Sequence, residues 1–319
     1  METFLSQFIF GLQRGTIYAL IALGYTMVYG VIRLINFAYG EVFMLGAFFS
    51  FFIIRLSPLP PGINAVLAFL VPMALCAVLG IAMDSIAYKP LRNKPRLAAL
   101  ITAIGVSFFL GNLVSYLGPD SVRTLAAIIF AGAGLILVYT VVQMVIAKSP
   151  KSKRKIKISY LMRGVGFVSL LLIGLILWFS KSTFAQLRWK GASFTAYPVD
   201  NMIKTVKYPL LGDAYITNVQ IINIVVSVVL MIGLSLLVNR SMIGMAMRAS
   251  KNNKEAVSLM GINVNRVIGF TFMLGTALAG AAGVLSAITY PRITALMGIQ
   301  PGLKAFVAAV LGGIGSIEG

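Results

Sequence analysis

Repeated long apolar runs limit the possible folds of this chain more than any other feature. A helix needs roughly 20 mostly apolar residues to cross a bilayer, and helices satisfy their backbone hydrogen bonds internally. Runs of about this length lie near 7–31, 38–55, 63–88, 97–117, 125–147, 164–180, 216–238 and 266–288. They predict an all-α integral membrane protein, a polytopic helical bundle with about eight spans. A shorter run at 303–317 predicts an incomplete C-terminal span.

The composition argues against most enzyme classes. The chain is 59% hydrophobic and only 11% charged, whereas about a quarter of the residues in soluble domains are charged. It has no histidine and only eight acidic residues, so the usual groups for acid–base catalysis and metal binding are scarce. No GxxxxGK[ST] phosphate-binding motif occurs. We therefore do not expect an enzyme, and we expect no metal and no cofactor.

Basic loops predict the orientation in the membrane. The net charge is +19, and Lys and Arg concentrate at Arg33, in 88–96, in 148–163 and in 240–266. Counting spans in alternation places all four on one side. Because cytoplasmic loops carry excess Lys and Arg, that side is the cytoplasm and the N-terminus lies outside. We do not expect nucleic-acid binding, since no basic patch is interleaved with base-stacking aromatic residues.

The stretch GMAMRASKNNKEAVSLMGINVNRV, residues 244–267, is polar although it lies between two apolar runs. Interpreted as one helix, it places Arg248, Lys251, Glu255 and Ser258 on one face and Met245, Ala249, Ala256 and Met260 on the other. This pattern predicts a short amphipathic helix at the cytoplasmic surface, ended by Gly261, with its polar side available to a partner.

Small residues recur at every fourth position in the last full run. Gly275, Ala279 and Gly283 in GTALAGAAGVL allow helix backbones to approach closely. The pattern predicts tight helix packing, either as a wall of a transport pathway or as ordinary packing.

Several long blocks resemble one family of transporters. RASKNNKEAVSLMGINVNRV (248–267) resembles the cytoplasmic coupling segment of ABC-importer permeases. ALIALGYTMVYGVIRLINFAYGEVFMLGAF (19–48), AYKPLRNKPRLAALITAIGVSFFLGN (87–112) and PGLKAFVAAVLGGIGSI (301–317) resemble the LivH-type permease of branched-chain amino-acid ABC importers. These blocks occur in order at both ends of the chain, which makes the resemblance far more specific than any single motif.

The resemblance implies one membrane domain over 1–319 in a bacterial inner (cytoplasmic) membrane. It also implies a second related permease subunit, two ATP-binding cassette subunits, and a periplasmic or extracellular solute-binding protein. In such a machine, closure of the ATPases moves the permease between inward- and outward-facing states. The polar stretch, within a coupling segment at 240–266, would then dock on an ATPase.

The resemblance also assigns roles to individual residues. Glu255, Ala256 and Gly261 match the coupling motif, in which Ala256 keeps the helix slim and Gly261 permits a sharp exit. Arg248 precedes them and is a candidate ion-pair partner for the ATPase.

A second set of residues lies in INFAYGE. Asn36 and Glu41 are polar groups at the edge of a span, where ionisable residues are costly and often functional. They are candidates for the translocation path, with interfacial capping as the alternative. Tyr39 stands where the family commonly has histidine, which removes a titratable group from that position.

Two features depart from the family. Residues 125–180 have no counterpart in it and are interpreted as an inserted transmembrane hairpin. Its basic loop sets the topology or binds anionic membrane lipid. Family members continue past GGIGS, so a truncated and non-transporting remnant is one alternative function.

Two further alternatives concern the transport class. A permease for urea or short amides would have a similar sequence. A stand-alone secondary carrier is opposed by the expected absence of acidic residues in the middle of a span.

Overall fold

The structure is a computed structural model that describes residues 2–32, 36–57, 60–92, 94–116, 195–199, 202–211 and 214–313. The chain divides into two compact units, one formed by Met1–Val114 with Ala192–Gly319 and the other by Ser115–Gly191. The second unit lies almost wholly outside the described residues. The predicted spans 125–147 and 164–180, and with them the predicted 125–180 hairpin, also lie outside and stay predictions.

The described residues are mainly helical. The helices are α1 (Glu2–Ile32), α2 (Tyr39–Leu56), α3 (Pro61–Met83), α4 (Arg96–Tyr116), α5 (Asn218–Arg240), α6 (Met242–Asn252), α7 (Lys254–Leu259), α8 (Val264–Thr289) and α9 (Ile299–Leu311). A π-helical turn (Asp84–Tyr88) and a 3-10 turn (Lys89–Leu91) extend α3. A capping box between Thr217 and Gln220 fixes the start of α5, because each side chain accepts a backbone N–H of the other residue.

Five helical segments within the described residues are long and apolar enough to cross a membrane. They are Thr3–Ile32, Pro61–Leu91, Leu97–Tyr116, Asn218–Arg240 and Val264–Thr289. The protein is therefore a multi-pass, helical membrane protein, as the apolar runs predicted. The count of eight spans stays a prediction, and α2, which covers most of the predicted span 38–55, is not among the five.

Short strands add a small β component, so the all-α prediction was incomplete. β1 (Thr195–Ala196) pairs antiparallel with β4 (Arg292–Ile293), and β2 (Lys207–Leu211) pairs antiparallel with β3 (Ala214–Thr217). The buried hydroxyl groups of Ser50 and Tyr197, 2.6 Å apart, tie the region after β1 to α2. Burial raises the pKa of the Tyr197 phenol, so this group stays a neutral hydrogen-bonding partner.

Helix α8 is the centre of the bundle and packs against α1, α2, α3 and α5. Most of its residues are buried. The amide of Gln13 donates to Thr289 Oγ1 at 3.0 Å, and Gly24 of α1 lies against Gly275, so α1 and α8 run antiparallel. At the opposite end from Thr289, α8 begins beside the coupling segment.

Glycine contacts allow this close packing. A Cβ built on Gly46 of α2 would lie 2.6 Å from the Cα of Gly280, a distance that real side chains do not adopt. A Cβ on Gly283 would collide with the backbone of Phe43. The α2 and α8 backbones therefore touch directly, as small residues permit in membrane helices.

We expect Gly46→Ala to lower stability because the added methyl group forces α2 away from α8. Overpacking of this kind costs about 1–3 kcal/mol. Gly233→Ala in α5 is the matched control, since a Cβ there meets nothing within 4 Å. The measurement is the thermal unfolding midpoint of each variant in the same detergent. Equal midpoints for the two variants would contradict the direct backbone contact.

Candidate functional site

The coupling segment consists of two short helices, so the prediction of one continuous helix was wrong. Helix α6 ends at Asn252, and Asn253 has an extended backbone with φ −148° and ψ 108°. The Asn253 Oδ1 atom accepts hydrogen bonds from the N–H groups of Glu255 at 2.9 Å and Ala256 at 3.1 Å. This side chain caps α7 and ends α6, because asparagine competes for backbone donors. Arg248 and Glu255 therefore belong to different helices.

The first helix of the segment is fixed to the end of α5. Ser241 Oγ accepts the Gly244 N–H at 2.9 Å and caps α6. Gly244 fits directly against the backbone of Val238, where a Cβ would collide. The guanidinium group of Arg248 donates to the Val238 carbonyl. Arg248, which we expected to pair with an ATPase, thus makes an intrachain contact in this structure.

A tight turn ends the segment and leads into α8. Gly261 has φ +80°, a conformation that favours glycine, and its N–H donates to the Ser258 carbonyl at 3.1 Å. Asn263 then caps α8 by accepting the Arg266 N–H at 3.2 Å. Helix α7 is therefore joined to α8 by a connection of only a few residues.

The expected apolar stripe of the segment is exposed, which corrects the predicted amphipathic arrangement. Met245 is 58% exposed and Met260 80% exposed, and Leu259 at the end of α7 is 90% exposed. The buried positions are instead Gly244, Ala246, Met247, Ser250 and Val257. A cavity of about 870 Å³ lies between α6 and α8, lined by residues that include Met242, Met245, Met260, Val267 and Phe270. Exposed apolar surface of this kind is typical of an interaction site.

Glu255 and Ala256 are also exposed, on α7. The same short helix thus presents a carboxylate, a small side chain and the neighbouring apolar groups of Leu259 and Met260. A surface that combines charge with apolar area suits recognition of a soluble protein.

A buried ion pair in the turns after α3 lies beside the start of α8, and the sequence pattern did not predict it. Arg92 Nη2 donates to Asp84 Oδ1 at 2.5 Å and to Oδ2 at 2.7 Å, while Arg92 Nη1 donates to Asn265 Oδ1. Asp84 is 4% exposed. The only sequence signal was the position of Asp84 next to the basic stretch 88–96. The pair fixes the turn after α3 beside the coupling segment.

A second polar cluster lies inside the bundle, around the start of α2. Asn36 Oδ1 accepts the Ala38 N–H at 3.0 Å and the Tyr88 hydroxyl at 2.6 Å. Tyr39 is fully buried and fits into the space left by Gly24 and Gly275. Sequence analysis selected Asn36, but nothing in the sequence indicated its contact with Tyr88.

Glu41 lies in the first turn of α2 and points towards α4. Its Oε1 atom accepts a hydrogen bond from Ser107 Oγ at 3.2 Å. Its Oε2 atom has no hydrogen-bond partner among the described residues, although the side chain is only 6% exposed. A buried carboxylate oxygen without a partner is costly, which makes this position a candidate site.

The three small residues selected in α8 lie at different contacts. Gly275 abuts Gly24 and Tyr39, and Gly283 abuts Phe43. Ala279 is fully buried between them along the helix. In the described ranges there is no group of three or more His, Cys, Asp or Glu residues that could hold a metal ion.

Comparisons with known proteins agree with this architecture. Residues 7–92 and 96–319 match the model of a family described as branched-chain amino acid transport system / permease component. The chain is 35% identical over 321 residues to the high-affinity branched-chain amino acid transport system permease protein BraD of Pseudomonas aeruginosa. It is 33% identical over 321 residues to LivH of Salmonella typhimurium. Each alignment covers 99% of this chain and 81% of the relative.

A more distant relative is archaeal. The probable branched-chain amino acid transport permease protein LivH of Methanocaldococcus jannaschii is 29% identical over 174 residues, 54% of this chain and 52% of the relative. No solved structure gives a significant match.

These findings define the class and then the family. The fold is that of a multi-pass helical membrane protein with transport relatives. The chain belongs to the family of branched-chain amino acid transport system permease components, as the sequence blocks indicated.

We expect Asp84→Asn to destabilise the protein because it leaves the largely buried Arg92 guanidinium without its anion. Loss of one partner of a buried pair costs up to about 3–5 kcal/mol, whereas removal of both is often near neutral. The double variant Asp84→Asn with Arg92→Met should therefore unfold at a higher temperature than Asp84→Asn alone. If the double variant lost as much stability as the two single variants lose together, the pairing would be contradicted.

Proposed function

We propose that this chain is a membrane-spanning subunit of an ATP-driven importer for branched-chain amino acids. The observation that supports this most strongly is the family match over nearly the whole chain, with curated relatives named for this transport. Import of leucine, isoleucine and valine is the activity that these names imply for the present chain. A bacterial cytoplasmic membrane is its expected location.

The coupling segment is proposed to dock on an ATP-binding cassette subunit. Two features support this role: the surface of α7 is exposed, and a short turn at Gly261 joins it to the central helix α8. In this mechanism Glu255 pairs with a basic group of the ATPase, Ala256 allows close approach, and Leu259 and Met260 enter an apolar recess. Arg248 holds α6 to α5 so that the segment moves as one piece.

The proposed mechanism is alternating access between two states. Closure of two ATPases displaces the coupling segments of this chain and of a second, related permease subunit. The displacement reaches α8 through its first residues and opens the path on the other side of the membrane. A solute-binding protein delivers the amino acid from outside, and its affinity sets much of the selectivity.

ATP-driven uptake of leucine tests the proposed function. Membrane vesicles containing this chain with its co-expressed partner subunits and solute-binding protein should accumulate radiolabelled leucine when ATP is supplied inside. Accumulation should persist with a proton uncoupler, because ATP hydrolysis and not an ion gradient supplies the energy. Uptake of urea instead of leucine would assign the chain to the alternative urea or short-amide class. Collapse of uptake with the uncoupler would indicate a secondary carrier.

Reversal of the charge on α7 tests the docking surface. We expect Glu255→Arg to reduce co-purification of the ATPase subunits at least about 10-fold, because a charge pair at an interface is replaced by repulsion. Lys204→Glu is the control, since Lys204 is also exposed but precedes α5 at the opposite end of that helix. Undiminished ATPase binding by the Glu255 variant, or equal loss in both variants, would count against the docking role.

A further inference from the structure

The position of Glu41 inside the bundle indicates how an amino acid is recognised within the membrane. We propose that the Glu41 carboxylate binds the α-ammonium group of the transported amino acid, at about half the depth of the bundle. This inference rests on the proposed function and names the chemical group that the path selects. It concerns recognition by the permease itself, separate from recognition by a solute-binding protein.

The position of Glu41 across the membrane follows from the residues that it lies beside. Ser107, which donates to Glu41, lies close to the middle of α4 (Arg96–Tyr116). The adjacent Tyr39 contacts Gly275, close to the middle of α8 (Val264–Thr289). Because both helices are long enough to cross a membrane, the first turn of α2 begins near the midplane.

Two helices begin at this depth. The backbone before α2 is irregular at Asn36. Helix α9 begins next to Gly40, because a Cβ built on Gly40 would lie only 2.5 Å from the carbonyl oxygen of Gly298. Helices that begin inside the membrane, next to irregular backbone, are the usual surroundings of substrate sites in transporters. The sequence pattern placed Glu41 at the edge of a span and predicted no acid in the middle of one, whereas this end of α2 is buried inside the bundle.

The charge balance favours a cationic ligand. In the part of the chain that the structure describes, no Lys or Arg forms an ion pair with Glu41. Ser107 satisfies one carboxylate oxygen, and the Oε2 atom has no partner there. An ammonium group with three donors offsets the cost of burying this charge and supplies the missing hydrogen bond.

On α4, a glycine lies beside the buried Glu41 carboxylate. Gly111 lies one helical turn after Ser107, and a Cβ built there would be 3.3 Å from Glu41 Oε2. Glycine at this position keeps the unpaired oxygen clear of side-chain atoms from α4.

The first experiment removes the charge and keeps the shape. Glu41→Gln still accepts the Ser107 hydrogen bond but cannot pair with an ammonium group. We expect the initial rate of ATP-driven leucine uptake to fall roughly 10- to 100-fold, the range for one charged hydrogen bond. Ser107→Ala removes only the neutral donor, and its uptake should fall less than about 3-fold. Amounts of assembled complex and basal ATPase rates, measured alongside, show that each variant folds.

The second experiment adds a methyl group beside the Glu41 carboxylate and leaves its charge unchanged. Gly111→Ala should reduce leucine uptake although alanine stabilises a helix. Gly105→Ala in the same helix is the control, since a Cβ there meets nothing within 4 Å, and its uptake should stay unchanged. Unchanged uptake by Gly111→Ala would contradict the site, and a loss of uptake matched by an equal loss of assembled complex would indicate a packing role instead.

The outcomes separate this inference from the proposed function. If the wild-type complex imports leucine but Glu41→Gln imports it at the wild-type rate, the ammonium site is wrong and the importer stands. Equal losses in Glu41→Gln and Ser107→Ala would also overturn the site, because they indicate a packing contact between α2 and α4. If the wild-type complex imports urea and not leucine, the proposed cargo fails, and the ammonium site fails with it. Loss in Glu41→Gln and Gly111→Ala, with little change in the two controls, is the expected result.

Discussion

Direct contact between glycine backbones around α8 is the constraint on which the rest of the structure depends. Gly275 lies against Gly24 of α1, and Gly280 lies against Gly46 of α2. In a bilayer, apolar side chains gain little by leaving lipid, so dispersion and close approach hold helices together. Because no side chains separate these backbones, α8 and its neighbours pack in direct contact. The first turn of α2, with Glu41, is therefore fixed by the same contacts that fix α8.

This packing gives the proposed coupling a physical route. The segment α6–α7 joins α8 through Gly261 and the Asn263 cap, and Arg92 links the start of α8 to α3. In the proposed mechanism a displacement at α7 reaches α8 because the connection is short and hydrogen-bonded. Close-packed interiors shift between discrete arrangements rather than deform gradually.

The sequence predicted the class of fold well and the details of the site less well. The lengths of the apolar runs identified the membrane helices, because a backbone inside lipid must make its hydrogen bonds internally and few structures other than helices do so. Small residues in α8 were visible from their spacing. The break at Asn253 was not predicted, because periodicity through Arg248 and Glu255 continued across it while a local side-chain cap ended the helix. The contacts of Arg92 with Asn265 and of Glu41 with Ser107 join segments that are distant in the sequence, which no local pattern reveals.

The measurement that tests the account most directly is photocrosslinking from the tip of the coupling segment in native membranes. A photoreactive amino acid replaces Leu259, which is 90% exposed, and mass spectrometry identifies the crosslinked chain. We expect the main crosslinked protein to be an ATP-binding cassette subunit, and we expect the crosslinking yield to change when ATP is added. Crosslinks to lipid alone, or to proteins without a nucleotide-binding motif, would contradict the assignment of this segment as the coupling surface.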